Sequence, residues 1–132
     1  MDREPVPVVG RFLEAVQTGT ISECRDVWAD SARLDATVPN WRFRCDGAAA
    51  IKGEYARWFA APGRFESLRT ARTPDGEVVE YLLTWTEQGV PHAAHHMHLL
   101  TICDDRIVAD TVMCGGRWPA ALLAEMEAAA DD

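Results

Sequence analysis

Apolar residues recur three and four positions apart near the start of the chain. Val8, Val9, Phe12, Leu13 and Val16 share one face, the spacing of an amphipathic helix, which stops at Gly19. Thr20-Ile21-Ser22-Glu23 follows, a capping-box pattern in which hydroxyl and carboxylate each satisfy an orphan amide. It predicts a short second helix burying Ile21, Cys24 and Trp28. Residues 31–38 read as a strand broken at Pro39-Asn40, after which Trp41 and Phe43 alternate with Arg42 and Arg44 as a second short strand. A third helix opens at Asp46-Gly47, carries Ile51, Tyr55, Trp58 and Phe59 on one face, and is stopped by Pro62-Gly63.

From Phe65 the period changes to two. Four strands are predicted, near 65–73, 77–87, 90–103 and 106–114, joined by three short turns, of which Pro74-Asp75-Gly76 is the strongest signal. Gly115-Gly116 is expected to end the sheet. Pro119 begins a last amphipathic helix with Leu122, Leu123 and Met126 inward, and Ala128 to Asp132 reads as a frayed tail. The expected class is α+β: a curved antiparallel sheet, made of a four-strand meander plus two short strands, packed with three helices from the N-terminal half and one at the C-terminus. With neither repeats nor an interior linker, residues 1–132 are expected to form one domain.

Composition narrows the partners. Thirteen basic residues against 21 acidic ones give a net charge of −8, without the clustered Lys and Arg that a duplex or an anionic membrane requires. No nucleic acid or membrane partner is therefore expected. Met1-Asp2-Arg3-Glu4-Pro5 lacks the basic-then-apolar pattern of a signal peptide, and no apolar run approaches the ~20 residues that span a bilayer. Cys24, Cys45, Cys103 and Cys114 lie far apart with no Cys-x-x-Cys pair, which fits reduced thiols in a cytoplasmic protein better than a zinc or redox module.

Trp28-Ala29-Asp30-Ser31-Ala32-Arg33-Leu34-Asp35, Asp46-Gly47-Ala48-Ala49-Ala50-Ile51 and Asp105-Arg106-Ile107-Val108, in this order of elements, resemble the SnoaL-like branch of the nuclear transport factor 2-like superfamily over nearly the whole chain. The resemblance implies a cone-shaped sheet around a pocket for a small organic molecule, usually in a homodimer. It also implies isomerase, dehydratase, epoxide hydrolase, polyketide cyclase or plain binding functions, among which fold alone does not choose. The base position of steroid-isomerase relatives falls on Ala36 here, which leaves Asp35 one residue out of place. The Arg-x-Asp pair of the epoxide-hydrolase members is missing from the matching strand. The dehydratase branch is closer, since its histidine strand is similar to Val90-Pro91-His92-Ala93-Ala94-His95-His96.

That strand is the most informative stretch. Side chains alternate along it, so His96 and His98 share a face and His95 takes the other. Two adjacent aspartates adopt positive φ reluctantly, so a three-residue loop at Cys103-Asp104-Asp105 is expected, which sets His98 across from Asp110 and His96 across from Val112. A three-residue loop at Glu87-Gln88-Gly89 likewise sets Glu80 across from His96. One face then carries Glu80, His96, His98, Asp110 and Cys114, and the other Tyr81, His95 and Met97.

Two carboxylates beside two imidazoles in apolar surroundings form an acid–base constellation. His98 is the expected general base and Asp110 orients it, with His96, Glu80 and the Tyr55 hydroxyl assisting. The same groups could instead make a hydrogen-bonded interface, or present His96 and His98 with Asp110 or Glu80 to a metal, although a fourth ligand is missing. Asp35, Trp41, Trp58, Cys114 and Trp118 are the further candidates for the pocket wall. The function expected is a lyase, isomerase or cyclase with no cofactor and no metal; the alternative is a non-catalytic binding or dimerisation module.

Overall fold

The structure is a computed structural model describing residues 4–130. Helix α1 (Pro7–Thr18) starts with proline in its first turn, where no amide partner is lost. It buries Val8, Val9, Phe12, Leu13, Ala15 and Val16. Gly19 ends it at φ 71°, with its amide on the Val16 carbonyl and that of Thr20 on the Ala15 carbonyl, a Schellman arrangement. A Cβ at Gly19 would sit 2.9 Å from the Pro62 nitrogen, so the position requires glycine for space as well as φ.

The second helix expected at the capping box is only a 3-10 turn, Ile21–Glu23. Thr20 makes no side-chain cap; its hydroxyl lies 2.7 Å from that of Thr18. Cys24 is already extended, and Trp28 joins the core as the first residue of a strand rather than from a helix. The remaining elements are β1 (Trp28–Val38), β2 (Trp41–Asp46), α2 (Ala48–Trp58), β3 (Gly63–Thr73), β4 (Gly76–Glu87), β5 (Val90–Cys103), β6 (Arg106–Pro119) and α3 (Ala120–Ala130).

The strands form one curved, unclosed six-stranded sheet in the order β2-β1-β6-β5-β4-β3. β1 is parallel to β6 and all other neighbours are antiparallel, so the sheet is mixed. The long excursion from β2 to β5 supplies the crossover that parallel pairing needs. α1, α2 and the inner face of the sheet enclose the core, in which Phe12, Leu34, Ile51, Tyr55, Tyr81, Leu100 and Ile107 are fully buried. β6 runs through Gly115-Gly116 to Pro119. The two glycines form a bulge opposite His95, where the register passes from His96↔Cys114 to Ala94↔Arg117.

α3 buries none of its residues, and Leu122 and Met126 are each 41% exposed, contrary to their expected inward placement. Its Ala-Ala-Leu-Leu-Ala run has no polar side to oppose an apolar one, so amphipathicity does not orient it. The helix continues through Ala130; Met1-Asp2-Arg3 and Asp131-Asp132, on which the signal-peptide and frayed-tail expectations partly rest, lie outside the described residues. Among the described residues, no helix is long and apolar enough to cross a membrane.

Both expected three-residue loops are two-residue turns. Asp104 and Asp105 both take left-handed conformations, φ 52° and 54°, and Cys103 faces Arg106. The cost is offset by tertiary bonds: Asp105 accepts the Val8 amide and an Arg11 N–H through its carboxylate, each at 2.9 Å. One orphan amide of α1 is thereby capped from a distant hairpin. Gln88 and Gly89 form the other turn, φ 52° and 78°, with Glu87 facing Val90. In β5–β6 a bulge intervenes, because Ile102 faces Ile107 but Thr101 faces Ala109. Skipping Val108 restores the side-chain parity that the shorter turn would have reversed.

Candidate active site

The inner face of the sheet gathers Val79, Tyr81 and Leu83 from β4, Ala94, His96, His98 and Leu100 from β5, and Asp110, Val112 and Cys114 from β6. Within this apolar layer, His96, His98 and Asp110, with Glu77 of β4 toward its edge, are buried polar side chains, and such groups persist only when hydrogen-bonded. The bonds form a chain whose inner end closes on itself, since the Tyr55 hydroxyl also lies 3.5 Å from His98 Nδ1. His96 Nδ1 lies 3.0 Å from the Tyr81 hydroxyl, which lies 2.9 Å from His98 Nε2. His98 Nδ1 lies 3.1 Å from Asp110 Oδ1, and the Tyr55 hydroxyl donates to Asp110 Oδ2 at 2.6 Å. An ionised Asp110 can only accept, so the proton on the facing side of His98 sits on Nδ1.

Each element has a definite part in this. The 3.6-residue repeat of α2 turns Tyr55 onto the sheet one turn after Ile51. Phe12 of α1 packs edge-on to His98 at 5.3 Å, sealing the buried end. Burial raises the pKa of Tyr55 and Tyr81 well above the usual tyrosine value, with Asp110 adding to the effect, so both hydroxyls keep their protons. His96 is pushed down to about 3, mainly by burial and secondarily by His98, so the ring is neutral near pH 7.

Beside His96 opens a cavity of about 420 Å³. Val38, Pro39, Trp58, Phe59, Leu83, Trp85 and Ala94 make it largely apolar, and Arg57, Arg117, His96, Cys114 and Gly116 complete the wall. Trp58 and Phe59 pack on the His96 ring at 5.5 and 5.7 Å. His96 Nε2 has no protein partner among the described residues, yet Trp28 Nε1 alone is both partnerless and sealed from solvent. The free nitrogen of His96 therefore opens to the cavity it lines. Arg117 lies over Trp85 at 4.9 Å and bonds Glu87 at 2.8 Å, while Arg57 bonds Glu54 at 2.6 Å.

The expected site residues separate into groups. His96, Trp58 and Cys114 line the cavity; His98, Asp110 and Tyr55 lie behind His96, joined to it through Tyr81. His98 and Asp110 share a face as expected, but diagonally: Leu100 faces Asp110 and His98 faces Val112. Glu80 is on the outer face, bonded to His95 at 2.9 Å and to Arg69 at 2.6 Å. It faces Met97 rather than His96, because the turn at Gln88-Gly89 is one residue shorter than expected. Asp35 is also outside, held by Arg42 at 2.7 Å, which depresses its carboxyl below the usual range. Trp41 is 69% exposed as the first residue of β2, and Trp118 packs on the glycine bulge rather than lining the cavity.

All of β4 faces the opposite way from the expected register, which brings Tyr81 inward as it sends Glu80 outward. The signal lay in Gln88-Gly89, since a glycine ending a two-residue turn is a hairpin indicator, and that register puts Tyr81 opposite His96. The metal alternative loses Glu80 to the outer face, and His98 has both nitrogens occupied by Tyr81 and Asp110.

A family model described as a SnoaL-like domain matches residues 9–110. No curated protein matches the chain. Among solved structures, it is similar to an NTF2-like protein of unknown function from Mesorhizobium loti, 21% identical, TM-score 0.66, covering 83% of this chain and 88% of that one. An LEH-like epoxide hydrolase of M. tuberculosis is 14% identical with TM-score 0.64, covering 83% and 80%. A protein from Catenulispora acidiphila with a ketosteroid isomerase-like fold, solved with trimethylamine, is 17% identical with TM-score 0.62, covering 83% and 85%.

Proposed function

Because the chain belongs to the SnoaL-like domain family, we propose that it is a cofactor-independent acid–base catalyst, of lyase, isomerase or cyclase type, acting on a small organic molecule in the cavity beside His96. The observation that carries this is the free Nε2 of a neutral imidazole, opening into an otherwise apolar cavity, with its other nitrogen fixed by a buried hydrogen-bond chain. A base meets its proton best where water does not compete and where its lone pair is aimed. His96 is thus the catalytic residue, and His98, Asp110 and Tyr55 position it. The neighbours' described activities, an epoxide hydrolase among them, belong to the same range of chemistry.

A second possibility has its own support. The cavity wall is mostly hydrocarbon and aromatic, which suits a binding module equally well. Hydrogen exchange separates the two. In D₂O, the wild type should catalyse loss of the α-protons of a cyclic ketone that quenches Trp58 and Trp85 fluorescence. His96→Gln should bind the ketone and lose the exchange. Binding without exchange in the wild type would reduce the protein to a binding module.

A further inference from the structure

We infer that Tyr81 and His98 form a proton relay behind His96, so that a proton taken from substrate at the cavity comes to rest on His98, beside Asp110. The inference rests on His96 as the group that meets substrate, and it assigns two residues that never touch substrate.

The hydroxyl of Tyr81 has one proton and two imidazole neighbours, His96 Nδ1 at 3.0 Å and His98 Nε2 at 2.9 Å. It must donate to one and accept from the other, so with Asp110 ionised the chain has two complete arrangements. In the first, Tyr81 donates to His98 Nε2, His96 Nδ1–H donates to Tyr81, and His96 Nε2 is a bare lone pair in the cavity. Both rings are neutral. In the second, His98 carries protons on both nitrogens, Tyr81 donates to His96 Nδ1, and His96 holds its proton on Nε2, facing the cavity. His98 is then a cation and His96 is still neutral.

The two arrangements differ by one proton, and the step between them balances. A substrate C–H or O–H bond breaks and its proton bonds to His96 Nε2, leaving the electron pair on the substrate. The Nδ1 proton of His96 passes to the Tyr81 oxygen, and the former hydroxyl proton passes to His98 Nε2. Running backwards, the same shifts return a proton from His96 Nε2 to a different atom of the substrate. That sequence is general base followed by general acid from one nitrogen, as an isomerisation or elimination requires.

The two rings also differ in their neighbours. His96 is walled by Trp58, Phe59 and Tyr81, with no carboxylate bonded to it among the described residues. His98 is bonded to Asp110 at 3.1 Å, a carboxylate contact that the His96 ring does not have. The titratable and charged groups around the two rings are Tyr55 and Arg57 from α2, Tyr81 and Glu77 from β4, His95 on the reverse of β5, and Asp110, Cys114 and Arg117 from β6; α1 contributes Phe12. Of the two buried carboxylates, Asp110 bonds His98, whereas Glu77 accepts the Val6 amide at 3.2 Å and pairs with Arg72.

Nitrogen-15 NMR of the histidine rings tests the relay without any substrate. On acidification, His98 should become doubly protonated while His96 stays neutral, and at the same midpoint the proton of His96 should move from Nδ1 to Nε2. In Tyr81→Phe the two events should separate, and catalysed α-proton exchange should fall at least tenfold with ketone binding unchanged. A charged His96 appearing first, His98 charging without the tautomer change, or a protein that unfolds with both rings neutral would each overturn the relay. Should Tyr81→Phe fail to fold, the wild-type titration alone decides. Failure of this titration leaves exchange at His96 standing, whereas loss of exchange with an intact tautomer switch counts against catalysis and not against the relay.

Discussion

His96 places an imidazole in a largely apolar wall where its cation meets no carboxylate among the described residues, and this has a measurable cost. The unfolded chain protonates the ring near its ordinary value of 6.5, the folded chain only near 3. Between those limits unfolding takes up a proton, so this group's stability contribution is complete above about pH 6.5 and is lost as pH falls, by about 1.4 kcal/mol per unit at most. His96→Gln should flatten the slope of stability against pH in that window by one proton, read from urea melts at pH 4 to 7; an unchanged slope would assign the loss elsewhere. At the other end of the chain, Tyr55→Phe removes one of the two donors to a fully buried carboxylate and should cost about 1–3 kcal/mol. Asp110→Asn keeps the shape and removes the charge. If the His98–Asp110 contact serves catalysis, α-proton exchange should fall by roughly 10²–10⁴-fold with a small change in melting temperature. A lowered melting temperature with exchange intact would make the contact structural.

The helices and strands were largely legible because their periodicities are strong, and what was misread lies in the turns. Val8, Phe12 and Val16, or Ile51 and Tyr55, announce a buried helix face by spacing alone. Thr20 and Glu23 announced a helix that packing did not extend. Asp104 and Asp105 argued against a two-residue turn on local grounds; the bonds from Asp105 to Val8 and Arg11 are made across the fold and leave no local trace. His98 and Asp110 nevertheless reached the same face, because the skipped residue Val108 offset the shorter turn. Glu80 and Tyr81 exchanged faces because β4–β5 has no bulge to compensate. The turn itself can be tested. Asp104 has φ 52° and no capping role, so Asp104→Gly should stabilise by about 0.5–1 kcal/mol. Asp105→Gly should lower the melting temperature despite relieving the same strain, because it uncaps α1. Equal effects from the two would show that the tertiary bonds contribute nothing.

At the scale of the whole molecule, the outer face of the sheet is the surface left unexplained by the core and the cavity. Met97 and Met113 face each other across β5 and β6, with Leu99 beside them, and they are 44%, 52% and 50% exposed. Apolar side chains gathered at the centre of a sheet face are what an association surface presents. The charges around them favour a second copy of this chain as the cover. Arg69, Glu80 and His95 flank the patch toward β3, and Asp35, Arg42 and Arg44 flank it toward β2. Each flank holds both signs, so a two-fold apposition can set acid against base on both sides of the apolar centre, as a self-complementary interface must. Association through this face leaves the cavity open, since His96, Trp58 and Cys114 line the opposite side. Sedimentation at micromolar concentration should therefore report a dimer. Met113→Glu should shift it to monomer, by placing a carboxylate against its own copy in an apolar contact, while ketone binding at the cavity is retained. A monomeric wild type, or a dimer indifferent to Met113→Glu, would move the interface away from the sheet and leave α3, with no buried residue of its own, as the next surface to probe.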